Sequence, residues 1–201
     1  YACVPDYHIV ALNMLKSLTS DLKDTFPQFS FEPFTDNSPI REVKASQLAG
    51  LGCVGKNGLL ITKKYGSYVF LGEVVTDMSI PYTRYNQVCI QCNMCLKRCP
   101  TKSIGSLGIN EDTCLSNITQ KKGELSTEEK TLMVDNHTAW GCDMCQSICP
   151  MNKNASETYI KEFITNANHV LTPDNISKQG AYFWRGKKTI LRNIDILNND
   201  D

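Results

Sequence analysis

The sequence predicts an α+β protein in three parts: a mixed α/β part over residues 1–84, a cysteine-dense middle over 85–155, and a helical tail over 156–201. Three observations carry that reading. A leucine-rich stretch near the start repeats at helical spacing and is followed by short β-rich runs. Eight of the ten cysteines fall between residues 89 and 149. The tail holds two helix openings, the second of them basic.

In chain order, Ile9, Leu12, Leu15, Leu18 and Leu22 recur every three or four residues, which predicts an amphipathic helix over 8–25 with Asp6 as its N-cap. Phe29 to Phe34 alternates and reads as a short strand ending at Pro33, followed by a turn over 35–39. A helix is predicted over 40–49, closed by Gly50 and Gly52. Residues 59–62 and 67–76 are β-rich, and Y-V-F-L-G-E-V-V-T is the best strand signal in the chain. Short helices are expected after each cysteine loop. Another is expected around 126–134, where S-T-E-E-K supplies a cap and acidic residues for the first turn. In the tail, T-P-D-N opens one helix and W-R-G-K-K-T-I-L-R-N-I begins the basic one.

The cysteines decide the chemistry. Residues 89–100 read C-I-Q-C-N-M-C-L-K-R-C-P, and 142–150 read C-D-M-C-Q-S-I-C-P, a second copy without its first cysteine. This is the bacterial ferredoxin pattern for [4Fe–4S] clusters, in which three thiolates come from one loop and the fourth, before proline, crosses to the other cluster. On that rule Cys89, Cys92, Cys95 and Cys149 hold one cluster. Cys99, Cys142 and Cys145 supply three ligands to the second, and Cys114 is placed to supply the fourth. Zinc sites rarely repeat such a run. Disulfides are set aside because nothing reads as an export signal, so a reducing cytoplasm is expected.

Composition narrows the partners. No apolar run approaches the roughly 20 residues of a membrane span. The 21 basic and 21 acidic residues cancel, so an RNA partner would have to be met by a local patch. Arg185, Lys187, Lys188 and Arg192 form the one basic stripe, which is either a solvated helix face or a phosphate contact. The glycine-rich stretch 50–58 departs from a phosphate loop, since Asn57 stands where Ser or Thr is required; close backbone approach to a ligand, or turn geometry, is the better reading. Asp36 lies in a turn, where Asp is common for local reasons. His8 and His137 read as solitary hydrogen-bonding residues, and Cys3 and Cys53 as buried thiols outside the cluster pattern.

Several stretches together resemble the epoxyqueuosine reductases: P-D-Y-H near the start, T-D-N-S-P-I-R-E, A-G-L-G-C-V-G-K-N, G-S-Y-V-F-L-G-E-V-V-T-D, the eight cysteines, and G-C-D-M-C-Q-S-I-C-P-M-N-K. The likeness runs in order through residues 5–153 and extends to W-R-G-K-K-T-I-L-R-N. It implies an enzyme that removes the epoxide oxygen of epoxyqueuosine in a transfer RNA anticodon. Two [4Fe–4S] clusters would pass single electrons to a base-off cobalamin, with Asp36 at the cofactor as proton donor. An electron donor such as a flavodoxin or ferredoxin is implied as partner, and no membrane. Family members carry a further segment ahead of the D-Y-H element, so Tyr1 is expected to be an internal start. Departures stand at Cys53, where the family has tryptophan, and at Asn37-Ser38. Two other functions remain open at this point: a ferredoxin-type electron carrier without catalysis of its own, and a corrinoid reductase for another small substrate.

Overall fold

The computed structural model describes residues 1–81, 88–106 and 108–199; the boundary expected near residue 84 and the end of the tail lie outside them. The first helix, α1 (Tyr7–Thr25), begins where the sequence places it. Asp6 is the N-cap, and its carboxylate accepts from the His8 amide. Only part of the predicted stripe is covered: Ile9 is 58% and Leu18 48% exposed, whereas Leu12, Leu15 and Leu22 are half-buried. Leu15 faces Gly72, where a Cβ would collide with its methyl group.

Strand β1 (Phe31–Phe34) starts two residues later than predicted and runs past Pro33. The proline is tolerated because β1 pairs antiparallel with one partner only, leaving an outer edge that needs no amide. Then follow α2 (Glu42–Leu48) and the small ladder of β2 (Cys53–Val54) with β3 (Leu60–Ile61). The partner of β1 is β4 (Glu73–Thr76), so the strand predicted over 67–76 exists only in its last four residues. Residues 67–72 join no ladder; Ser67 ends a turn, and Tyr68, Val69, Phe70 and Leu71 line a groove instead.

In the cysteine-dense part, α3 (Met94–Arg98) and α6 (Met144–Ser147) each follow a cysteine loop, as expected, and pack on each other. Between them lie β5 (Ile104–Gly105) paired with β6 (Gly108–Ile109), α4 (Leu115–Gln120) and α5 (Thr127–Asp135). At the start of α5 the Ser126 hydroxyl accepts from the Glu129 amide while the Glu129 carboxylate accepts from the Ser126 amide, a full capping box.

The tail corrects the sequence reading in one place. T-P-D-N is a turn, not a helix start, since the Asn175 side chain closes on the Thr172 amide and the Val170 carbonyl and so competes with helical bonding. The helices are α7 (Lys161–Thr165) and α8 (Lys187–Asn198). The second starts three residues after Trp184, because Gly186 at φ 87° separates it from a 3-10 turn over 181–185. Residues of α4, α5 and the Cys142 loop form one apolar cluster, against which Ile196 and Leu197 of α8 pack. Trp140, Tyr182, Ile190 and Ile194 form a second. Asn193, fully buried, ties α8 down by donating to the carbonyls of Thr119 and Ala139, each at 2.7 Å.

Candidate functional site

Two left-handed residues, Gln91 and Asn93, curl the loop between Cys89 and α3 so that its thiols point inward. Cys89, Cys92 and Cys95 line one small cavity together with Cys149, which arrives from the second cysteine motif just before Pro150. Among the described residues no three histidine, cysteine or carboxylate groups converge tightly enough for a single ion. The four cysteines instead line a common cavity, and a cubane is held by four such thiolates with iron and sulfide between them.

The other four cysteines form a second group. Burial, and then the neighbouring thiols of Cys114 and Cys99, raise the pKa of Cys142; burial and Cys142 push Cys145 up to about 12, with Cys114 adding to it. A hydroxyl chain joins two members of this group: Thr101 contacts the Cys99 sulfur at 3.6 Å and bonds Ser103, which bonds Thr113 at 2.9 Å, the residue before Cys114. Cys99 goes the other way from its neighbours. Burial would raise it, but bonds from the Thr101 hydroxyl and the amides of Ser103, Thr101 and Ile104 outweigh burial and hold its pKa below the ordinary thiol value. Such donors stabilise negative charge on sulfur, which is also how a protein sets a cluster's potential.

The glycine-rich stretch lies between the two groups. Gly55, Lys56 and Asn57 line the first cavity beside Cys89, Cys92, Cys95 and Cys149. Asn57, only 2% exposed, also reaches the second group, its side-chain amide donating to the Cys145 carbonyl at 3.5 Å. Cys53 is buried, and burial raises its pKa; Cys3 is half-buried, so only the first of the two matches the expected buried thiol.

Beside the second group opens a groove of about 750 Å³. Val10, Met14 and Leu15 of α1 form one wall, and Tyr68, Phe70 and Phe163 the opposite one. Asp143 and Gln146, neighbours of Cys142 and Cys145, close one end. From the other wall Phe70 stacks on Tyr7 at 4.2 Å between centroids, and Tyr7 stacks on His8.

Asp36 stands next to that stack, at φ 63°. Its amide donates to Glu42 at 2.7 Å, and its carboxylate meets His8 Nε2 at 2.9 Å and the Tyr7 hydroxyl at 3.4 Å. His8 is therefore not solitary: its Nδ1 also bonds Asp6 at 2.6 Å, so the imidazole spans two carboxylates. Burial alone would lower the His8 pKa, but Asp36 and Asp6 outweigh it and raise it above 6.5. Burial, then Asp36, drives the Tyr7 phenol far above its ordinary range, so it stays protonated. The signal for His8 was present as Asp-x-His at the helix start, but its second partner is 28 residues away. The basic stripe loses one member, since Arg192 donates to the carbonyls of Lys121 and Gly123 and braces α8. Trp184, 61% exposed, joins it instead, with Arg185 stacked on its ring at 3.8 Å.

Residues 88–152 match the family model of the 4Fe-4S double cluster binding domain. The epoxyqueuosine reductase of Lactococcus garvieae is 36% identical over 94% of this chain, and that of Listeria monocytogenes 35% over 96%. The chain spans only 57% and 54% of the length of these two relatives. Among solved structures, the epoxyqueuosine reductase of Streptococcus thermophilus superposes with a TM-score of 0.83 at 31% identity, covering 96% of this chain and 54% of its own. An epoxyqueuosine reductase bound to an epoxyqueuosine-modified tRNA-Tyr stem loop superposes at 0.84 and 28%, covering 98% of this chain and 55% of its own. The Bacillus subtilis enzyme, with its catalytic aspartate loop swung out of the active site, matches at the same score, identity and coverage.

Proposed function

We infer that this chain, which belongs with the epoxyqueuosine reductases in sequence and fold, is an iron–sulfur oxidoreductase that reduces epoxyqueuosine in transfer RNA. The observation that supports it most is the groove, which is lined by Asp143 and Gln146, the neighbours of Cys142 and Cys145, and by Phe70, whose ring stacks on Tyr7 beside Asp36. The proposed electron source and proton source are each one residue removed from the same groove lining.

Cys89, Cys92, Cys95 and Cys149 would hold the first [4Fe–4S] cluster, and Cys99, Cys114, Cys142 and Cys145 the second. The groove has the size and the apolar, aromatic walls that a corrin ring needs. A cobalamin bound there would supply a one-electron-reducible metal that attacks carbon. The protein's own part is to fix the substrate oxygen beside Asp36, to hold the Asp36 carboxyl with a hydrogen bond from the Tyr7 hydroxyl, and to shield the space with Tyr68, Phe70 and Phe163. Asp36 delivers the proton to the departing oxygen. Trp184, Arg185, Lys187 and Lys188 would meet the RNA by stacking and phosphate contact. The electrons come from a flavodoxin- or ferredoxin-type donor in a reducing cytoplasm.

The test is single-turnover reduction of an epoxyqueuosine stem loop by pre-reduced, cobalamin-loaded protein. Asp36→Asn keeps the shape and tolerates the left-handed backbone. It should lower turnover by a factor on the order of 10²–10⁴ with iron content unchanged. Turnover at the parental rate would leave Asp36 as a turn residue only. Failure of added cobalamin to show a base-off absorption spectrum would favour the carrier reading. A base-off spectrum without turnover of the stem loop would favour another substrate.

A further inference from the structure

Removing one epoxide oxygen as water consumes two electrons and two protons. The electrons arrive singly through the clusters from the external donor. Asp36 carries one proton at a time, so it must be reloaded within each turnover. The groups around it differ in what they can offer. Tyr7 holds its proton too tightly to give it up, and Glu42 is engaged with the Asp36 amide. Among the described residues His8 alone has a ring nitrogen on the Asp36 carboxylate, with its other nitrogen on a second carboxylate and its side chain one-third exposed.

We propose that His8 is the proton relay that reloads Asp36, with Asp6 holding the ring in position and stabilising its charged form. The inference rests on the reading of Asp36 as the acid. Asp36 first gives its proton to the leaving oxygen and becomes a carboxylate. The imidazolium Nε2–H then passes its proton 2.9 Å to Asp36 Oδ2. Neutral His8 keeps Nδ1–H on Asp6, 2.6 Å away, and its bare Nε2 takes a proton from water before the next turnover, the side chain being one-third exposed. Asp36 now supplies the second proton, and the oxygen leaves as water. His8 is a positioning and shuttling residue, since it acts through Asp36. The N-cap carboxylate thereby has two roles, because Oδ1 of Asp6 accepts both from the His8 amide and from the ring of the same residue.

The groups that face this ring are Asp6 beside it in sequence, Asp36 across from it, the stacked Tyr7 ring, and Glu42 behind Asp36 with Glu73 beyond. Asp6 and Asp36 favour the imidazolium, and Glu42 and Glu73 add negative charge at longer range. A ring in this setting titrates above 6.5.

Two measurements on the cluster-loaded full chain test the relay. In the first, single-turnover rates of parent, His8→Gln and Asp36→Asn are followed between about pH 5 and 9, with and without free imidazole. His8→Gln should lose roughly 10- to 100-fold, less than Asp36→Asn, with the pH dependence of the parent flattened and imidazole restoring part of the rate. In the second, the His8 ring is titrated by NMR in the parent and in Asp36→Asn. The pKa should lie above 6.5 in the parent and fall in the variant. Parental rates and pH profile in His8→Gln, with Asp36→Asn inactive, overturn the relay and leave the acid standing. Parental rates in both variants overturn the acid itself. An unchanged ring pKa in Asp36→Asn overturns the relay even if His8→Gln cannot be folded.

Discussion

At Asp36 the backbone restricts the side chain before any chemistry does, because φ 63° is a conformation that Asp and Asn adopt far more readily than most residues. This is why a turn reading and a catalytic reading of the same residue coexist in the sequence, and why only the contacts separate them. The contacts are long-range: Tyr7, His8 and Glu42 come from two different helices. Asn57 is a second residue whose role is spatial. In the sequence it is the residue that spoils a phosphate loop; in the fold it is buried, lines the first cavity and donates to the Cys145 carbonyl. An amide dipole held beside a ligand cysteine stabilises the extra charge of the reduced cluster. Asn57→Ala should therefore make the second cluster harder to reduce, by on the order of tens of millivolts, with the first much less affected. Redox titration followed by electron paramagnetic resonance measures this, and equal potentials in parent and variant would remove Asn57 from the electron path.

Elements were legible where one local signal sufficed. The Asp6 cap, the S-T-E-E box of α5 and the two short helices after the cysteine loops all stand where the sequence puts them, because each depends on neighbours within a few residues. The misreadings share a different cause. Residues 67–72 have strand composition, but their apolar side chains line the groove and most of them bond no neighbouring strand. T-P-D-N has the residues of a helix start, but Asn175 bonds backward into a turn. The start of α5 also permits a pH test. Glu129 is held below its ordinary 4.5, first by Lys121, with the Ser126 amide also favouring the carboxylate over its burial cost. A lowered folded-state pKa contributes stability that is present above about pH 4.5 and lost as the pH falls through the folded value. Denaturation of Glu129→Gln against the parent should show a deficit at about pH 7 that shrinks toward zero in acid, on top of any pH-independent change. A deficit that does not vary with pH would mean that the charge of Glu129 adds nothing.

For the whole molecule, the cysteine pattern was the most readable feature, because cluster geometry dictates loop spacing directly. The motif's rule also gave the crossing of Cys149 to the first loop; what spacing could not supply was the hydroxyl chain that runs from Cys99 through Thr101 and Ser103 to Thr113 beside Cys114. Nor could it show that α1 and the 67–72 segment leave a groove between themselves and the second group. Groove, acid and cysteine groups form one arrangement, and every step of the proposed reaction depends on electrons entering through two clusters. The most direct measurement is therefore iron and sulfide content, with electron paramagnetic resonance of the reduced protein, after anaerobic reconstitution of the parent and of Cys114→Ser. The parent should hold about eight irons per chain, and the variant should show a selective loss or change of the second cluster's signal. Fewer than about six irons in the parent, or a Cys114→Ser spectrum identical to it, would contradict the assignment.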